Sequence, residues 1–149
     1  MKKFNKLLMI ISLAFGGFFL SPSNDVEAAW SEWQSVPKAG VNCQVRVQTD
    51  AYNYYSTADT VDIKAESNGA CGKLYYMLHL PYNFANFMMV TDEQVGYFTY
   101  ATPVKYFDIN HIDEEVGSRA TLDLFSSSNY SEETYLGTVY GHKFTIWPQ

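Results

Sequence analysis

The sequence predicts an all-β protein, a small antiparallel β-sandwich. Three observations carry that prediction. Apolar residues recur with a period of two in short runs, clusters of turn-forming residues separate those runs, and no window of about 11 residues or more keeps a helical period. About six or seven short strands with no crossover helix between them favour antiparallel pairing in two packed layers. A small β-barrel would produce a similar pattern and stands as the alternative.

Cys43, Val45 and Val47 alternate with Gln44, Arg46 and Gln48, and Val61, Ile63 and Ala65 alternate with Asp62, Lys64 and Glu66. These two runs form a hairpin whose tip is the loop 51–58. Leu74, Tyr76, Leu78 and Leu80 alternate with Tyr75, Met77 and His79 until Pro81 ends the strand. Phe107 and Ile109 follow, flanked by Lys105 and Asp108, and then Ala120, Leu122 and Leu124 alternate with Arg119, Thr121 and Asp123. The last strand covers residues 138–147, where a bulge at Gly141 keeps Val139 on the face of Phe144 and Ile146. Turn signals occupy residues 50–59, 68–72, 110–118 and 126–133. Residues 83–90 are ambiguous. Phe84, Phe87 and Met88 fall at i, i+3 and i+4, which suits one or two helical turns or an irregular strand.

Upstream of the strands, residues 1–28 read as a secretory signal peptide. Lys2, Lys3 and Lys6 precede an uncharged apolar run over residues 7–20 and a short polar stretch over 21–27. Val26 and Ala28 stand at the −3 and −1 positions of a cut after Ala28. As a helix the apolar run spans about 21 Å, short of the roughly 30 Å hydrocarbon core, which favours cleavage over anchoring. With no later membrane span, lipid-accepting cysteine or anchoring tail, the protein is expected to have no stable membrane anchor. Residues 29–149 are then one secreted, extracellular β domain, in keeping with a bacterial type of leader.

Composition narrows the partners. Of 10 basic and 16 acidic residues, three lysines, Asp25 and Glu27 leave with the leader, so seven basic and fourteen acidic residues remain, a net −7. The seven are scattered from Lys38 to Lys143 without a run, so nucleic acid is excluded as a partner and anionic membrane is disfavoured. An aromatic content of 17% excludes a disordered tail. Cys43 and Cys71 are the two cysteines, and export favours a disulfide between them. The bridge lies at the open end of the first hairpin, closes about 29 residues and is worth roughly 3–4 kcal/mol.

Catalytic patterns are missing from the sequence. It has no Gly-x-Ser-x-Gly elbow and no His-Glu-x-x-His pair, and His79, His111 and His142 are far apart in the chain. Asp108, Asn110, Asp113, Glu114 and Glu115 crowd eight residues that could ligate calcium, yet no calcium-loop spacing is present, so a solvated acidic loop is expected. Asn129-Tyr130-Ser131 matches a glycosylation acceptor that a bacterial host leaves idle. No catalytic residue, metal or cofactor is assigned.

Aromatic side chains are the better candidates, because flat exposed rings stack on sugars and anchor protein interfaces. Tyr52, Tyr54 and Tyr55 crowd a loop with polar neighbours. Tyr75 shares an outward face with Met77 and His79, and Trp30 and Trp33 open the mature chain. The expected function is a secreted, non-catalytic binding module that contacts a surface glycan or protein through these rings. Two alternatives are a small effector or toxin, inserting the apolar stretch 83–100 into membranes or competitor cells, and a small extracellular hydrolase.

Two local resemblances accompany this reading. Phe107-Asp108-Ile109-Asn110-His111-Ile112, Gly117 and the run Ala120-Thr121-Leu122-Asp123-Leu124 resemble the E-to-F corner of immunoglobulin-like and fibronectin type III sandwiches. The Tyr that commonly tethers that corner is absent here, so the likeness does not extend to the usual side-chain tether. Trp30-Ser31-Glu32-Trp33 resembles the start of a thrombospondin type 1 repeat. That family requires three disulfides and a ladder of arginines, against two cysteines, Arg46 and Arg119 here, so the likeness is set aside.

Overall fold

The computed structural model describes residues 28–84 and 87–148. The leader read over residues 1–28 lies outside them, Ala28 apart. Twelve strands follow in chain order. The first six are β1 (Ala29–Trp30), β2 (Gln34–Ser35), β3 (Gln44–Thr49), β4 (Asn53–Tyr54), β5 (Thr60–Ser67) and β6 (Leu74–His79). The rest are β7 (Pro81–Phe84), β8 (Phe87–Val90), β9 (Gln94–Phe98), β10 (Lys105–Asp108), β11 (Val116–Phe125) and β12 (Tyr135–Ile146).

They form two sheets and no closed barrel. The first runs β1-β3-β5-β10, with β2 also on β3. The second runs β4-β12-β11-β6-β9, with β7 on β11 and β8 on β7. Period-two alternation sends one face of each strand inward. Val45, Val47, Val61 and Ile63 of the first sheet, and Leu78, Leu122, Leu124 and Ile146 of the second, are fully buried. Each such side chain contributes about 1.5–3 kcal/mol on leaving water. Cys43 and Cys71 are bridged at the open end of the β3–β5 hairpin, with Cα atoms 4.6 Å apart.

Four local features differ from the sequence expectation or refine it. Pairing is antiparallel except at β4, which lies parallel to β12 through Asn53↔Thr145 and Tyr54↔Ile146. There the chain leaves the first sheet after β3 and grazes the edge of the second before returning as β5. On either side of residues 85–86 the strands β7 and β8 pair antiparallel rather than forming helical turns, with Tyr82 opposite Met89 and Asn83 opposite Met88. A helix needs one buried apolar stripe, and here Phe87, Met88, Met89 and Val90 are all exposed. The turn read over 110–118 ends earlier, because β11 already begins at Val116. β10 to β11 is the crossing between sheets, plugged by the buried Ile109 and Ile112 and tied where the Ile109 N–H donates to the Asp59 carbonyl at 3.1 Å.

The bulge in β12 sits where the sequence places it. The β11–β12 register shifts between Arg119 and Thr121, so that Lys143 faces Arg119 and Tyr140 faces Thr121. Val139, Phe144 and Ile146 are all buried as a result. Only glycine fits the bulge, since a Cβ on Gly141 would stand 2.9 Å from the Ala120 Cβ.

Candidate binding groove

A groove of about 700 Å³ crosses the solvent-facing side of the second sheet. Its floor is β11 and β12, whose residues Gly117, Arg119, Lys143 and Thr145 alternate with buried neighbours and therefore face away from the core. Tyr52 and Asn53, at the start of β4, form one wall. Asn83 and Met88, on the paired strands β7 and β8, form the other. The floor is open at Gly117, where a Cβ would meet no heavy atom within 4 Å.

Two cations stand on that floor. Arg119 and Lys143 are direct register partners, and directly opposed residues of neighbouring strands share a face with Cβ atoms about 4.5–5.5 Å apart. The Arg119 guanidinium lies 3.7 Å from the ring centroid of Tyr140. Neither cation pairs with a carboxylate: among the described residues both ion pairs are made by Glu66, on the other sheet. No Asp or Glu is among the described residues lining the groove.

The wall at Tyr52 is held by its neighbour. Tyr54 is only 2% exposed, against 40% for Tyr52 and 59% for Tyr55. The Tyr54 hydroxyl donates to Asp50 Oδ1 at 2.6 Å and accepts the Ala51 N–H at 3.2 Å, while its ring meets Phe144 edge-on at 5.2 Å. Burial, then the bond to Asp50, pushes this hydroxyl well above the usual tyrosine range. Tyr54 is thus corrected from a contact residue to an anchor, because alternation along β4 turns it inward and the core has an acceptor waiting. Tyr52 is left outside, its ring edge-on to His142 at 4.7 Å.

The other predicted aromatics do not converge on the groove. Tyr55 lies nearly parallel to Trp147, with centroids 6.3 Å apart. Tyr75 is half-buried rather than open, flanked by Tyr97 at 6.0 Å and by the Lys73 ammonium at 4.8 Å. Trp30 and Trp33 sit on the first sheet, where the Arg46 guanidinium is 4.0 Å from one ring centroid and 4.5 Å from the other. Arg46 also donates to Glu66 at 3.1 Å. One Trp–Arg–Trp layer is therefore present although the thrombospondin likeness ends there, and the rings are engaged in holding β1 and the following segment onto β3.

The remaining candidates are equally separate. His111 meets the Tyr82 hydroxyl at 3.1 Å. His79 is the cross-strand partner of Thr121, and both bury an unpaired polar atom beyond Arg119. In the acidic stretch, Asp108 accepts the Asn110 N–H at 2.8 Å and so closes a turn. Among the described residues no group of three or more His, Cys, Asp or Glu side chains could hold a metal. The groove residues that sequence reasoning missed are Gly117, Arg119, Lys143, Asn53, Asn83 and Met88. Their signal was outward parity on β11 and β12 for the first three, and it becomes a site only through the bulged register.

A two-sheet sandwich with an open groove lined by aromatic, amide and cationic side chains has the form of a binding domain. The chain belongs to the family described as the YqgA MG2 macroglobulin domain, whose model matches residues 26–147. It is 34% identical over 113 residues to the cell wall-binding protein YqgA of Bacillus subtilis (strain 168), over 75% of this chain and 74% of that one. No solved structure matches it. The protein is a secreted, extracellular, non-catalytic binding module, which retires the hydrolase alternative.

Proposed function

We propose that this protein binds a glycan of the bacterial cell wall in the groove between Tyr52 and Met88. Residues 1–28 serve as the leader removed on export, and residues 29–149 as the binding domain. The observation that carries the reading is the pairing of an exposed ring, Tyr52, with a buried anchor, Tyr54, in one short loop. A fixed ring at a groove wall stacks on a sugar face at little entropic cost. Asn53 and Asn83 face each other across the floor as hydrogen-bonding groups for hydroxyls. Similarity to a cell wall-binding relative supports the wall as the source of the glycan.

Co-sedimentation of the secreted protein with purified cell walls tests this. The Cβ of Gly117→Trp would meet no heavy atom within 4 Å, so its indole can project from the floor into the groove. This variant is expected to abolish sedimentation while leaving the melting temperature near wild type. Tyr52→Ala is expected to weaken binding by about 1–3 kcal/mol, the scale of a lost stacking contact. Full retention in both variants would move the site elsewhere.

A further inference from the structure

We propose that Arg119 and Lys143 form an oxyanion seat, so that the wall polymer bound in the groove is an anionic glycan carrying phosphodiester or carboxylate groups. The proposal rests on the groove being the wall-binding site and specifies its ligand class.

The geometry carries it. Like charges placed directly opposite on neighbouring strands are destabilising, and strand pairs ordinarily avoid or neutralise them. This molecule does neutralise its other cross-strand arginine, since Arg46 faces Glu66 in register and is bonded to it. Arg119 and Lys143 face each other with no carboxylate partner among the described residues, in a chain whose acids outnumber its bases sixteen to ten. An oxyanion between them would supply the missing countercharge. The Arg119 guanidinium lies over the Tyr140 ring, which limits its freedom and presents a planar fork suited to a phosphate or carboxylate. The Lys143 side chain is exposed and carries no ion-pair or ring contact among the described residues, which leaves its ammonium available to the same group. A ring at the wall and two cations at the floor together match a polymer that alternates sugar and charge.

Co-sedimentation with cell walls again reads the result, now using wild type, Lys143→Gln, Arg119→Gln/Lys143→Gln and Gly117→Trp, each checked for fold by its melting temperature. Walls are used intact and after acid stripping of phosphodiester-linked polymers. Wild-type affinity for intact walls is expected to fall on the order of 10- to 50-fold between about 50 and about 500 mM salt, as two cations on a polyanion imply. Lys143→Gln should lose about half of that salt dependence and the double variant nearly all of it, with binding at low salt reduced at least about tenfold. Loss of binding on stripping assigns the oxyanion to phosphodiesters. Salt-sensitive binding to stripped walls assigns it to carboxylates. Salt-independent binding, or a folded double variant that binds like wild type, overturns the seat. Those results leave the groove reading intact if Gly117→Trp still abolishes binding, whereas a Gly117→Trp protein that binds normally overturns both.

Discussion

The two sheets treat a cross-strand arginine in opposite ways. On the first, Arg46 is layered between Trp30 and Trp33, bonded to Glu66, and Glu66 is bonded in turn to Lys64 at 2.8 Å. On the second, Arg119 faces Lys143, with one face of its guanidinium on Tyr140 and no acid beside it. The first arrangement is closed, because both cations, Arg46 and Lys64, are bonded to a carboxylate inside the protein. The second is open and is completed by something outside it. A sandwich face can thus be read for role by asking where its countercharges are.

The largest expected effect is on the groove wall. Tyr54→Ala removes a buried ring and one of two donors to Asp50 Oδ1, leaving it the Asp62 N–H. A loss of about 3–5 kcal/mol is expected in chemical denaturation. Tyr54→Phe isolates the hydroxyl. Because the folded state raises its ionisation above the ordinary value of 10.0, that contribution is present below pH 10 and is lost as pH rises further. The wild type should therefore lose stability in alkali more steeply than Tyr54→Phe, as measured by urea midpoints across that range. Equal slopes would mean that the folded loop does not hold the Tyr54 hydroxyl neutral, through burial first and its bond to Asp50 second.

Next comes the disulfide, which belongs to the closed side. Replacing Cys43 and Cys71 together by Ala should cost roughly 3–4 kcal/mol, the loop-closure value for about 29 residues. Wall binding measured well below the lowered melting temperature should be unchanged, since the bridge sits at the open end of the β3–β5 hairpin and neither cysteine lines the groove. A parallel loss of binding would show that the two faces are coupled.

Glu66 gives a smaller effect with a defined pH dependence. Hydrogen bonds from Lys64 and then Arg46 hold its carboxyl below the ordinary 4.5. The stabilisation is therefore present above that value and disappears as pH falls through the lower, folded one. Its partners are partly exposed, at 30% and 35%, so solvent screening limits the effect to about 0.5–1 kcal/mol. Glu66→Gln should melt below wild type at neutral pH and converge with it once the pH has fallen through the lowered, folded value.

How much of this was legible beforehand follows from the physics of each element. Strands with one face buried declare themselves by period, so β3, β5, β6 and the core of β11 and β12 could be read residue by residue, including the Gly141 bulge. Strands of two residues such as β1, β2 and β4 have no period to show. β8 buries neither face, and without a buried face the pattern 83–90 fits two structures equally well. The site was legible only as ingredients. Tyr52 was found by its polar setting, but Tyr54 shares that setting and turns inward, because an acceptor four residues back meets it. Arg119 and Lys143 lie 24 residues apart, and a bulge between them must be counted correctly before they share a face. Register is a long-range property, and one residue of error sends Lys143 to the core side.

The smallest effect separates the two sheets most cleanly, because its signs oppose. Lys143→Glu turns the open pair into a copy of the closed one, an acid facing an arginine across two strands. If Arg119 and Lys143 repel in the free protein, the substitution raises stability by about 0.2–1 kcal/mol, the range for opposite against like charges at such positions. The same carboxylate would occupy the seat from within and exclude an external oxyanion, so wall binding should fall at least about tenfold. A thermal melt and a co-sedimentation curve on one preparation measure both. Gain in stability with loss of binding means that the second sheet keeps an unfavourable pair for its ligand. Loss of stability would show that Lys143 has a partner in the fold, and the division between a closed and an open face would then fail at its central residue.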